Sequence, residues 1–358
     1  MCRAMTIADG RHPYDTLPDD AFWRLAVAAK SPFELNAIWR PKAPLRRDAM
    51  VATAGSCFAQ HISRALKRRG FGWLDTEPAP FGMPPDVAES FGYGVFSFRT
   101  GNIYSAALLR QWLDWAAGDA APSDELWRDD DGRWFDPFRP AIQPGGFSDA
   151  DDVRAARATT LRAIRRGVSS ADVFLFTLGL TECWQDAGTG EVFPLCPGVA
   201  AGRYDAQRHI LRNFGFERIR DDLQAAIAVL KRLNPSIRLI LTVSPVPLIA
   251  TVTGEHALVA NTYTKSTLRA VAGELAAGDP AVDYFPSYEM VATAPMRGMF
   301  YNPNMRTITP AGVAFVMEAF FAEQGAAPAE PTPSAPPPPA SPTANDLACE
   351  EELLDAPQ

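Results

Sequence analysis

The sequence is poor in histidine, with 4 in 358 residues. Its 5 cysteines, Cys2, Cys57, Cys183, Cys196 and Cys349, form no CxxC pair. Those shortages exclude the His- and Cys-rich spacings of zinc sites, and neither metal nor cofactor is expected. An odd cysteine count without an apolar leader points to reduced thiols and a cytoplasmic setting. No run approaches the roughly 18 apolar residues that a membrane span needs. A basic excess is missing as well. The net charge of −8 and the pI near 5.2 leave no footprint for nucleic acid. Local basic clusters at Arg46 and Arg47, and at Lys67, Arg68 and Arg69, read as solvated faces.

What is present suits a globular enzyme: 47% hydrophobic and 10% aromatic residues, enough for one large core or two modest ones. The 32 prolines crowd toward the end, where residues 325–358 read "GAAPAEPTPSAPPPPASPTANDLACEEELLDAPQ". Proline at that density blocks helix and ladder alike, so this tail is expected to be disordered. Within it, "DLACEEELLDA" has the pattern of a short amphipathic docking turn. Residues 1–34 read as an N-terminal extension, and 35–324 as the folded domain.

Inside the domain, apolar β-rich runs alternate with helical patterns. Strands are expected over 50–56, 172–179, 237–245 and 282–289. Helices are expected over 58–69, 153–167, 216–233, 267–278 and 309–324, the last with Thr309 as N-cap and Pro310 as its first residue. Strands apolar on both faces and separated by helices imply a doubly wound α/β fold around a parallel sheet. Ligands gather at the carboxyl ends of such strands. Two stretches break the alternation, 77–150 and 184–214, and both read as lid-like insertions over that edge.

The first residue of interest is Ser56 in "ATAGSCFAQ". It stands where a strand turns into a helix, with unpaired N–H groups that favour an oxyanion. Gly55 permits a tight turn and close approach of a substrate. The residues alone leave two roles open, nucleophile and ordinary helix cap. Cys57, next along, is read as packing behind Ser56 against the sheet.

The block "GSCFAQHI" at 55–62 resembles the signature of the GSCFA family. "GVFSFRTGNIYS" (94–105), "FTLGLTE" (176–182), "TVSPVPL" (242–248) and "YFPSYE" (284–289) are similar to that family's other blocks, in the same order. The resemblance spans about 35–322. It implies a place among the SGNH/GDSL-like hydrolases, with a flavodoxin-like three-layer sandwich and activity on esters of lipids or O-acylated sugars. Under it Ser56 is the expected nucleophile, its own N–H contributing to the oxyanion hole. Gly179 keeps a turn, Thr181 stands where the superfamily has an amide donor, and Asn102 is the candidate replacement donor.

The superfamily's closing block is Asp-x-x-His, and here Asn304 and Thr307 stand in those places. A serine needs a neighbouring base, so the base is sought elsewhere. His256, beyond the strand that ends "TVSPVP", is the chosen histidine. Glu182 is its expected orienter or a base itself. His61 lies one turn after Cys57, read as half-buried and structural, while His12 and His209 read as surface residues. The expected function is a serine-dependent hydrolase or acyltransferase on ester bonds, with a small-molecule or glycan ester as substrate. The alternative is a non-catalytic ligand- or glycan-binding module on the same scaffold. The tail is a candidate contact for a protein partner.

Overall fold

The computed structural model describes residues 12–324 and 350–354. Apart from one turn, the stretch expected to be disordered lies outside the described residues, as do Cys2 and Cys349. In chain order the strands are β1 (Val51–Gly55), β2 (Trp127–Arg128), β3 (Trp134–Phe135), β4 (Val173–Leu178), β5 (Glu182–Asp186), β6 (Val192–Phe193), β7 (His209–Asn213), β8 (Arg238–Val243) and β9 (Val282–Phe285). The helices are α1 (Ala59–Arg68), α2 (Pro85–Ser90), α3 (Ala106–Ala117), α4 (Ala150–Ser170), α5 (Phe216–Leu233), α6 (Ala257–Gly278), α7 (Glu289–Ala292) and α8 (Pro310–Ala322).

Four strands form an all-parallel central sheet in the order β1-β4-β8-β9, with Gly55 opposite Thr177 and Thr177 opposite Thr242. Alternation within each strand divides the core in two. Ala52, Ala54, Phe174, Phe176, Leu239 and Leu241 join a cluster built with α3, α4, α5 and α6. Val51, Val173, Leu175, Ile240 and Phe285 face the other way, toward α1 and α8. Each fully buried Phe or Leu contributes about 1.5–3 kcal/mol, so neither face of the sheet tolerates water. The mixed α/β architecture read from the sequence is present.

Several elements differ from expectation. Residues 77–150 are more than a lid: α3 lies within them and packs on α5, with Leu108, Leu113 and Trp112 buried. Ser105 caps this helix by accepting the Leu108 N–H at 3.2 Å, and Gly118 ends it in left-handed conformation. Residues 184–214 supply most of a second, antiparallel sheet ordered β6-β5-β7. Helix α6 begins at Ala257, ten residues before the expected start. Its first turns carry Leu258, Val259 and Tyr263 exposed, which hid the period. Strand β9 stops at Phe285, because Pro286 has no N–H for the ladder and Ser287 turns its own back to Phe285 O.

Candidate functional site

At the carboxyl end of β1 the chain turns abruptly. Gly55 has φ +133°, and a Cβ there would lie 2.5 Å from the Thr177 carbonyl oxygen, so only glycine fits. Ser56 then donates its N–H to Thr177 O at 3.0 Å, and Ser56 O accepts from Ala59 N at 2.9 Å as α1 starts. Ser56 is 2% exposed, and among the described residues its Oγ has no hydrogen-bond partner. A buried hydroxyl left so costs about 1–3 kcal/mol. Such a cost calls for an explanation outside folding.

Two further segments close on this turn. Ile103 N–H donates to Gly55 O at 2.8 Å, which fixes Asn102 beside it. Gly179 and Leu180 donate their N–H groups to Tyr104 O at 2.9 and 3.0 Å. The open face of Gly179 lies against the serine: a Cβ there would stand 3.1 Å from Ser56 Cβ. Asn102 is buried and its Oδ1 accepts from Gln60 Nε2 at 3.4 Å. Three separate sequence blocks therefore meet at one point, Gly55-Ser56, Asn102 and Gly179. The model of the GSCFA family matches residues 50–320. The chain belongs to the GSCFA family. Among curated proteins no match is found.

In this GSCFA chain the carbonyl of Gly179, beside Ser56, is held by a lysine that the sequence motifs do not single out. Lys265 of α6 is 1% exposed, and its Nζ donates to Gly179 O at 2.8 Å. A signal for it existed: Lys265 shares a helical face with the buried Leu268 and Ala272. The exposed Leu258, Val259 and Tyr263 in the first turns of α6 mask that face in the sequence.

The other expected site residues have the following partners. The Thr181 hydroxyl donates to Asn213 Oδ1 at 2.7 Å and pairs with Thr264 Oγ1 at 2.9 Å. It ties the small sheet to α6. The Ser56 N–H, expected in the oxyanion hole, is donated to Thr177 O, and the Gly179 N–H to Tyr104 O.

Among the described residues no histidine pairs with Ser56, whose Oγ has no partner there. His256 is an exposed cap of α6, its Nδ1 accepting the Leu258 N–H at 3.1 Å. It precedes Lys265, the residue that reaches Gly179, by about 13 Å along the helix axis. His209, expected at the surface, is buried in β7 and accepts from Asp205 N at 3.0 Å. It stands about 13 Å down the strand from Asn213. His61 packs edge-on against Phe58, and burial, then Arg64 and Arg68, push its pKa down to about 4. His12 lies exposed by Asp15, 3.1 Å away.

Glu182 opens β5, with both carboxylate oxygens accepting from Thr251 Oγ1, at 2.9 and 3.0 Å. Burial raises its pKa against the pull of that hydrogen bond. Its contact is thus with the loop after β8, not with a histidine. In the closing block, Asn304 Oδ1 accepts from Arg306 N and Thr307 N at 3.0 Å each, so Asn304 braces its own loop. Cys57 is buried beside Phe58 and Ile62, in the core where it was expected. Among the described residues no group of three His, Cys, Asp or Glu could hold a metal, and no helix is long and apolar enough to cross a membrane.

Proposed function

We propose that this chain is a serine-dependent hydrolase or acyltransferase acting on ester bonds, of the SGNH/GDSL-like type. The observation that carries the reading is the buried, unpartnered Oγ of Ser56 at a strand-to-helix turn enclosed by Asn102 and Gly179. A parallel bridge of Val51 to Trp73 stands at the edge of β1. On the flavodoxin-like reading, this bridge stands where the outer strand belongs, which supports that order. Ser56 then lies at the switch point, where open α/β sheets bind ligands.

In the proposed reaction Ser56 Oγ attacks the acyl carbonyl carbon and its proton passes to the departing alcohol. The acyl group remains on Ser56 as an ester. Water, or the hydroxyl of an acceptor such as a sugar, then attacks that ester and frees Ser56 Oγ. Asn102 is the oxyanion donor of this scheme, and the dipole of α1 favours the developing anion. Lys265 Nζ, by donating to Gly179 O, holds the Gly179 backbone against the serine.

A fluorophosphonate probe tests the nucleophile. Wild-type protein is expected to label at Ser56 and to hydrolyse a short-chain p-nitrophenyl ester, and Ser56→Ala to do neither. Ester turnover undiminished in Ser56→Ala overturns the reading. The binding-module alternative draws on the absence of any histidine at Ser56 Oγ and on the self-braced Asn304 loop. It predicts ligand binding with no labelling at all.

A further inference from the structure

A cleft opens just past Gly179, lined by Leu180, Glu182, Trp184, Leu195, Cys196 and Leu248. Among the other residues that line it is one from the far end of the chain, Leu354. The turn Glu350–Leu354 is the described remnant of the Pro-rich tail. Two residues before Leu354, Glu352 places its carboxylate 3.3 Å from Arg306 Nη1. Arg306 belongs to the loop after Tyr301, whose hydroxyl donates to Pro245 O at 2.8 Å just past the end of β8. Both contacts therefore stand at the carboxyl edge of the central sheet, one apolar and one ionic.

Bulk electrostatics does not bring this segment in. The chain carries a net charge of −8 and the segment is itself acidic. What receives it is specific, a cation placed for Glu352 and an apolar wall placed for Leu354. Leu354 stays 43% exposed and Glu352 about half exposed, so the contact is shallow. The contact is made within one chain, so it does not need the area of an interface between separate molecules.

We infer that the cleft beside Gly179 is a docking site for an acidic, leucine-bearing peptide, and that the chain's own Glu350–Leu354 turn occupies it as a cover on the approach to Ser56. The docking stands on the contacts alone; its effect on Ser56 rests on the ester-hydrolase reading.

Hydrogen exchange on the full-length protein tests the docking. Amides in 180–184, 194–196 and 248–250 are expected to exchange several-fold faster in Leu354→Asp and in Glu352→Lys than in wild type. The double reversal of Arg306→Glu with Glu352→Arg is expected to restore protection. Unchanged exchange in both single variants overturns the docking, and Leu354→Asp lies on an exposed turn, so misfolding does not cloud it. Fluorophosphonate labelling of Ser56 then reads the cover: several-fold faster labelling in Leu354→Asp supports it, and equal rates overturn it. Absence of labelling in every variant counts against the hydrolase reading alone, and exchange still decides the docking.

Discussion

Gly55 and Gly179 set the geometry around Ser56 by having no side chains, in different ways. At Gly55 a Cβ would meet backbone atoms of Thr177 at 2.5–2.9 Å, in a backbone conformation that L residues rarely adopt. Gly55→Ala must therefore part β1 from β4. It is expected to cost about 3 kcal/mol or more, read as a fall in the urea midpoint. At Gly179 the contacts are 3.1 Å to Ser56 Cβ and 3.3 Å to Tyr104, tight enough to displace the serine without unfolding the sheet. Gly179→Ala should cost about 1 kcal/mol of stability yet lower the labelling of Ser56 at least about tenfold, since misplaced nucleophiles lose rate steeply. Equal losses in stability and labelling would place Gly179 outside the site.

Among the elements, α8 shows a boundary that local chemistry dictates. Thr309 Oγ1 accepts the Gly312 N–H at 3.1 Å and Pro310 fills the first helical position. Thr309→Ala should cost about 1 kcal/mol, measured by thermal or urea unfolding. Helix α1 carries a pH dependence. His61 has a folded pKa of about 4, against about 6.5 when unfolded. A depressed pKa means that the folded state resists the proton. The stability present above about pH 6.5 is then lost as pH falls toward about 4. Unfolding at about pH 7 and about pH 5 should show a smaller loss for His61→Gln than for wild type. An identical loss would mean that the ring is solvated.

For the whole molecule, the decisive ties run through buried charge. Asp136, just after β3, accepts from Arg139 Nε at 2.8 Å and Arg157 Nη2 at 2.8 Å, all three residues being buried. Arg139 also donates to Arg99 O at 2.7 Å and Thr160 Oγ1 at 2.6 Å. This network fastens residues 77–150 to α4, which is why that stretch folds with the core. Burial alone would raise the Asp136 pKa, but Arg157 and Arg139 outweigh it and hold the carboxyl below its usual value. Its contribution is thus present above about pH 3.8 and lost below. Asp136→Asn leaves two buried guanidinium groups without their carboxylate. It should cost about 3–5 kcal/mol, seen as a large drop in unfolding midpoint together with faster proteolysis within 120–147.

Much was legible in the sequence wherever a local rule acted alone. The strands β1, β4, β8 and β9 were readable from uninterrupted apolar runs, and α8 from its cap and proline. Gly55-Ser56 was readable as a turn between a strand and a helix. Helix α3 was not, because the Trp-rich, turn-rich text around it masks its period. The start of α6 was hidden by apolar residues on its exposed face. The chain by itself determined the α/β alternation, the place of Ser56 at a strand end and the shortage of histidines. Only tertiary structure decided which groups stand beside that serine. It placed Lys265 on the carbonyl of Gly179, spent Thr181 on Asn213 and left His256 as a cap. The physical reason is that these partners lie tens of residues or more apart, and only sheet order and helix packing bring them together.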